Sequence, residues 1–373
     1  MPTLLRKFRK EVFVIARWSL IGLILLALGL FWGEKTQARH PTFTPEQKVR
    51  LRQARVIAIR AIALTEQGAV DPQPLRDAVA TRLRQFGYGV TNARERADVI
   101  VKVKCEERKT WTGTTRFGGD ADQPYSPLRV WNGPACQLTY LLGTQPGPWE
   151  YEIRADFEDA MAAAQAAGAD HPGRYALMHL RQKVAQSNFP VLLAAHWGQA
   201  ERLAALLTDP ATDQSLKRFI MEICGQLPDS TALMAQALTT VLHDPALRIE
   251  AILALGRLGE QALPTLLDLI ERSRIPAVRA AAVRAVGAIG ARTGTVDVVP
   301  QLLALLETPN LDLTVQIEAV TALGNIPDQR SIEPLEKIRL FAWSSRSLDP
   351  RIQRLQEAVE WSLWQIIPTA HTD

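Results

Sequence analysis

The chain has 373 residues, enough for two ordinary domains and an appendage, and 47% hydrophobic with 22% charged residues describes a folded body, not a disordered one. Its formal net charge of +4 comes from the first 17 residues, where Arg6, Lys7, Arg9, Lys10 and Arg17 stand against Glu11. The rest sums to zero, so no overall positive field gathers phosphate backbones, and the balance argues against a nucleic-acid partner.

Residues 1–33 read as a basic N-terminus followed by a transmembrane signal-anchor. The stretch Ser19 to Gly33 carries no charge, Trp18 and Trp32 flank it, and Val12 to Trp32 spans 21 residues, close to the roughly 20 that cross a bilayer. Arg17 then snorkels toward the headgroups. The basic flank stays in the cytoplasm, and the body is exported to a periplasmic or extracellular space. A cleaved signal peptide is the competing reading, with small residues at Thr36 to Ala38 but Glu34 and Lys35 in the cleavage region. No Cys follows the run, so a lipoprotein anchor is ruled out. Residues 34–44 form a linker.

Residues 45–196 have the rhythm of a small α+β domain with helices on one face. "ARVIAIRAIAL" predicts a strand with Val56, Ala58 and Ile62 on its apolar face, and "PLRDAVATRLRQFGY" predicts a helix burying Leu75, Val79, Leu83 and Phe86. Strands follow at "ADVIVKVKCEER", alternating through Val99, Val101, Val103 and Cys105, and at "ACQLTYLL" and "PWEYEIRADF". "GRYALMHLRQKVAQSNFPVLLAAHW" is helical with a break at Pro190. Cys105 and Cys136 sit in two of these strands, 31 residues apart. They form a disulfide in an oxidising compartment or remain as two core thiols, since spacing does not fix connectivity.

Between those cysteines, Thr110 to Pro134 reads as a long glycine- and proline-rich loop carrying Trp111, Arg116, Phe117, Tyr125, Arg129 and Trp131. Loops of that length are commonly functional, and aromatic and Arg side chains are the usual interface anchors. The alternative is a hairpin tip with its aromatics folded back on the sheet. "GGDAD" within it lacks the remaining ligands of a calcium loop, so no metal is expected.

From residue 197 to 368 the chain repeats itself, leaving residues 369–373 as a tail. Aligned glycines fall at Gly225, Gly256, Gly287 and Gly324, with Ile220, Ala251, Ala282 and Ala319 in one column and Cys224, Leu255, Val286 and Leu323 in another. These columns share one helical face. Each copy is preceded by a second amphipathic segment, such as "ALPTLLDLIER" or "VVPQLLALLE", with Pro264, Pro300 and Pro334 at or near the first turn. Asp209, Asp244 and Asp349 precede prolines as caps or turn formers. The unit is a helical hairpin, five of them in all, recurring because one hairpin cannot bury its apolar face without a neighbour.

The pattern "DPALRIEAILALGRLG" followed by "ALPTLLDLIER" resembles the HEAT-like repeats of the type first described in phycobilisome lyase subunits. That resemblance implies an all-α solenoid that binds another protein, with its second helices on the concave side; it does not imply lyase activity. Trp361 and Trp364 in the last copy are expected to cap the end of the stack. Lys217, Arg248, Arg279 and Gln316 recur as a column. It is either a polar ladder with turn carboxylates such as Asp244 and Asp312, or a basic stripe facing an acidic partner.

No catalytic motif is present: there is no HExxH, CxxC, GxSxG or phosphate-binding GxxxxGK. His196 and His243 lie near helix ends, as caps and not ligands. No cofactor is expected. The sequence therefore reads as a membrane-anchored, exported scaffold with a protein partner. The alternatives are a lyase-type subunit and an envelope component recognising glycan or lipid through residues 110–134.

Overall fold

The structure is a computed structural model that describes residues 43–113, 129–226, 231–345 and 349–367. The apolar run from Val12 to Trp32 lies outside the described residues, as do Arg116, Phe117 and Tyr125. Among the described residues no helix is long and apolar enough to cross a membrane.

The first described helix, α1 (Pro45–Gln53), opens with a reciprocal cap: Thr44 Oγ1 accepts from the Gln47 amide and Gln47 Oε1 accepts from the Thr44 amide. It leads into a six-stranded mixed sheet built from β1 (Val56–Thr65), β2 (Gly68–Val70), β3 (Gly89–Thr91), β4 (Val99–Gly113), β5 (Arg129–Leu142) and β6 (Gln145–Arg154). The order is β2-β1-β4-β5-β6, with β3 also on β1. β1 runs parallel to β3 and β4, reached through the crossover helix α2 (Gln73–Gln85); the other pairings are antiparallel. The Asp98 carboxylate accepts from the amides of Arg55 and Val56, each at 2.8 Å, and so ties the start of β1 to the start of β4.

One face of the sheet is covered by α2 and by α4 (Pro172–Gln186), which also pack on each other; the short α3 (Ala160–Ala166) packs beside α4. Leu75, Val79, Leu83 and Phe86 are all buried there. The sheet's inward residues form rows across the strands. Ile59, Val101 and Tyr140 make one, and Ala63, Cys105, Cys136 and Ile153 another. In the second row Cys105 and Cys136 stand directly opposite each other, Cα atoms 3.9 Å apart, joined as a disulfide. Linking positions 31 residues apart removes denatured-chain entropy worth on the order of 3–4 kcal/mol.

Three expectations are corrected here. The inward face of β1 is Ile57, Ile59 and Ala63, one residue out of phase with Val56, Ala58 and Ile62. Both phases of this strand are apolar and only Arg60 breaks the outer one, so alternation did not decide the register. The long loop is shorter than its composition implied: β4 continues to Gly113 and β5 begins at Arg129, with Trp111 paired opposite Trp131. The helix break falls at Ser187 and Asn188, and Pro190 sits in the first turn of α5 (Phe189–His196), where no intrahelical amide is lost.

Ten helices then pair into five hairpins: α6 (Ala200–Thr208) with α7 (Gln214–Ile223), α8 (Thr231–Val241) with α9 (Arg248–Leu258), α10 (Leu263–Arg272) with α11 (Pro276–Thr293), α12 (Val299–Leu306) with α13 (Leu313–Asn325), and α14 (Ile332–Ser344) with α15 (Pro350–Ile366). Asp213, Asp312 and Asp349 cap α7, α13 and α15 through their side chains. Asp209 and Asp244 instead accept from amides two residues on, closing turns.

Successive second helices touch at the aligned glycines. A Cβ on Gly256 would stand 2.9 Å from the Cβ of Ala285, one on Gly287 2.8 Å from that of Ala322, and one on Gly324 2.5 Å from Ser362 Oγ. Those separations are shorter than carbon atoms tolerate, so the missing side chain lets the backbones approach. The hydrophobic core runs without a break from the sheet through α5 and α6 to α15.

Replacing Gly287 by Ala is expected to destabilise the protein by about 1–2 kcal/mol, because overpacking outweighs the gain in helix propensity. Denaturant unfolding checks this, and Ala322→Gly in the same chain should not restore the loss, because the Ala322 Cα would itself stand 2.9 Å from the new Cβ.

Candidate functional site

The described residues place chemistry most densely where the sheet meets the first hairpin. Gln199, just before α6, is 3% exposed and has every hydrogen-bonding position occupied. Its Nε2 donates to the carbonyls of Leu51 and Ala54, which are the end of α1, each at 2.9 Å. Its Oε1 accepts from the Tyr88 hydroxyl at 2.8 Å and from Arg202 Nε at 3.0 Å. Arg202 in turn donates to the Phe86 carbonyl at 2.6 Å and lies flat on the Tyr88 ring, 3.8 Å from its centre. The guanidinium thus meets the negative end of α2, whose last carbonyls lack helical partners. Gly87 makes the turn there with φ of 75°, a conformation that suits glycine.

This network forms one wall of an open groove of about 970 Å³ between α1, the end of α2 and α6. Val49, Ala54, Phe86, Ala205 and Leu206 supply its apolar lining, while Arg52, Arg55, Arg202 and Glu201 supply its charge. Its size is that of a ligand cleft, and junctions of this kind are where clefts commonly lie.

Behind the groove sits an aromatic cluster. Tyr140 is fully buried, with Trp197 edge-on at 5.4 Å, Phe43 stacked at 6.1 Å and its hydroxyl 2.9 Å from His196 Nε2. Burial raises the Tyr88 and Tyr140 hydroxyls above their ordinary range, in Tyr88 against the opposing charge of Arg202. Burial lowers His196 below its ordinary value. The Tyr140 hydroxyl and His196 Nε2 share one hydrogen bond whose direction follows the histidine tautomer, with Tyr140 buried and His196 exposed at the edge of the cluster.

The residues singled out in the sequence are scattered. Trp131 is 8% exposed, with Arg154 over its ring at 5.3 Å, so it is folded onto the sheet and does not project as an anchor. Trp111 contributes its backbone to β4. In the repeated basic column, Arg248 Nε donates to the Leu242 carbonyl and Arg279 Nε to the Ile270 carbonyl, each closing the C-terminal end of the preceding helix in its own hairpin. Lys217 occupies the corresponding half-buried place in α7. Arg248 and Arg279 thus turn back on their own hairpins, and Asp312 lies 3.8 Å from Arg351 of the last hairpin. Arg218 with Glu250 and Arg284 with Glu318 also form ion pairs between repeats.

Trp361 does cover the repeat end, with its ring against Gly324, but Trp364 is 64% exposed and caps nothing. Leu340, Phe341 and Trp343 are exposed on the same hairpin. Cys224 is buried, and desolvation pushes its thiol up to about 11, which makes it unreactive. Among the described residues no group of three His, Cys, Asp or Glu side chains is arranged to hold a metal.

Comparison with known proteins agrees with the helical architecture. Residues 200–287 and 263–341 match the family of HEAT repeats, so the C-terminal half is a HEAT-like repeat array, and the sheet domain before it matches no family. No curated protein and no solved structure matches the chain. HEAT repeats commonly mediate protein–protein interaction, which gives the class of this half but not its partner.

Because the folded His196 has a lowered pKa, the unfolded chain takes up its proton first as the solution acidifies. Its contribution to stability is complete above the ordinary value of 6.5 and is lost as pH falls through and below it. The melting temperature should therefore fall between pH 7.5 and 5.5, and His196→Gln should flatten that slope, as measured by thermal unfolding at each pH.

Proposed function

We propose that the chain is a scaffold which holds another protein on its HEAT-like array, anchored to a membrane by residues 12–32 with the folded body exported. The observation that carries the binding role is the repeat array itself. Its second helices approach to glycine contact along one side, which makes that side the inner radius of the stack and leaves an extended surface across several hairpins. Exposed Leu340, Phe341, Trp343 and Trp364 on the last hairpin add apolar and aromatic contact area, the usual currency of partner recognition.

The membrane and export parts rest on other supports. The basic residues of 1–17 precede a charge-free run of membrane-spanning length. The pairing of Cys105 with Cys136 supports export, since disulfides persist in oxidising compartments. A cytoplasmic enzyme subunit of the lyase kind has no such need for them.

The test is affinity capture of full-length, C-terminally tagged protein from detergent-solubilised native membranes after mild crosslinking, read by mass spectrometry. The expected result is a specific partner crosslinked to residues of α7 to α15. Reproducible recovery of the protein alone, with crosslinking shown to be efficient, or its recovery only from the soluble fraction, contradicts the proposal.

A further inference from the structure

The groove at the sheet–repeat junction has a chemistry of its own, apart from the repeat face. Three guanidiniums, Arg52, Arg55 and Arg202, line it against one carboxylate, Glu201. The surrounding sequence has the same sign: residues 45–113 hold 14 Lys and Arg against 8 Asp and Glu, while residues 114–373 hold 22 against 29. A body that sums to zero beyond residue 17 therefore concentrates positive charge on the elements that build this groove, α1 and α2, and the field there favours an anionic ligand.

The geometry narrows the ligand further. Arg202 is held in one plane by its bonds to Gln199 and Phe86 and by the Tyr88 ring. A guanidinium fixed in this way gives up little freedom on meeting a carboxylate. Gln53 and Gln85 line the same groove and are exposed, offering amides that both donate and accept. The floor is apolar, with Val49 47% exposed and Leu206 half-buried beside Ala205. A purely ionic ligand leaves that surface wet, so the occupant carries apolar side chains between its charges. Nucleic acid fits less well, because the aromatic rings here, Phe86 and Tyr88, are buried and offer no face on which a base stacks.

We infer that this groove binds an acidic peptide segment of a partner protein, with Asp or Glu side chains on Arg52, Arg55 and Arg202 and interleaved apolar side chains on Val49, Ala205 and Leu206. The site is separate from the α7 to α15 surface and does not depend on the scaffold reading, so either stands if the other fails.

The experiment is selection of a random dodecapeptide display library on the immobilised full-length protein, followed by fluorescence anisotropy of the enriched peptides. The expected result is enrichment in Asp and Glu spaced by Leu, Ile or Phe, affinity that falls as salt is raised, and at least tenfold weaker binding to the Arg52→Glu, Arg55→Glu double variant. Val49→Asp, a single change at an exposed position, should weaken the same peptides at least tenfold and decides the matter if the double variant does not fold. Selected peptides without acidic enrichment, or acidic peptides that bind wild type and folded variants equally, overturn the inference.

Discussion

Where Gly256 meets Ala285, Gly287 meets Ala322 and Gly324 meets Ser362, consecutive second helices come closer than two side chains allow, and the stack depends on those three contacts. Each removes a Cβ from one helix and places a small residue on the next, so ridges of apolar residues on either side interlock. The consequence is clearest in α11, which lies between α9 and α13 and buries Val278, Ala282, Val283, Val286, Gly287 and Ile289. A helix so nearly apolar has no stable existence at the surface. It folds because both neighbours are present, and that mutual dependence propagates along the array.

The same continuity extends backward into the sheet domain. Gln199 binds α1 and Tyr88, Arg202 binds the end of α2, and Tyr140 of β5 packs on Trp197 at the end of α5. Leaving a buried amide such as Gln199 without partners costs about 1–3 kcal/mol, so the elements that satisfy it are held together. The sheet domain is thus the first layer on which the repeats are stacked. The groove follows from that arrangement, since its walls come from both parts.

Much of the repeat half was legible because periodicity speaks for itself. Glycines at a near-constant spacing, small residues three positions from branched ones, and prolines at first turns all report the same hairpin. The role of the basic column was not legible. Its period matched the repeat, but period does not reveal whether an arginine points outward or turns back to a carbonyl six or nine residues away, as Arg248 and Arg279 do. In the sheet domain, the phase of β1 was hidden because its two faces are almost equally apolar. The ends of β4 and β5 were hidden because Gly- and Pro-rich composition masked pairing out to Gly113 and Arg129. The junction groove was the least visible, for Tyr88 and Gln199 are 111 residues apart and neither belongs to a motif. Gly87, in the turn beside Arg202, belongs to no motif either.

One continuous core joins sheet and repeats. Equilibrium urea unfolding followed by pulsed hydrogen exchange and mass spectrometry tests it directly, by comparing the midpoint for peptides of β4 and β5 with that for peptides of α11 and α13. A single shared midpoint is predicted. Two well-separated midpoints, with the sheet domain surviving after the helices have opened or the reverse, would contradict it.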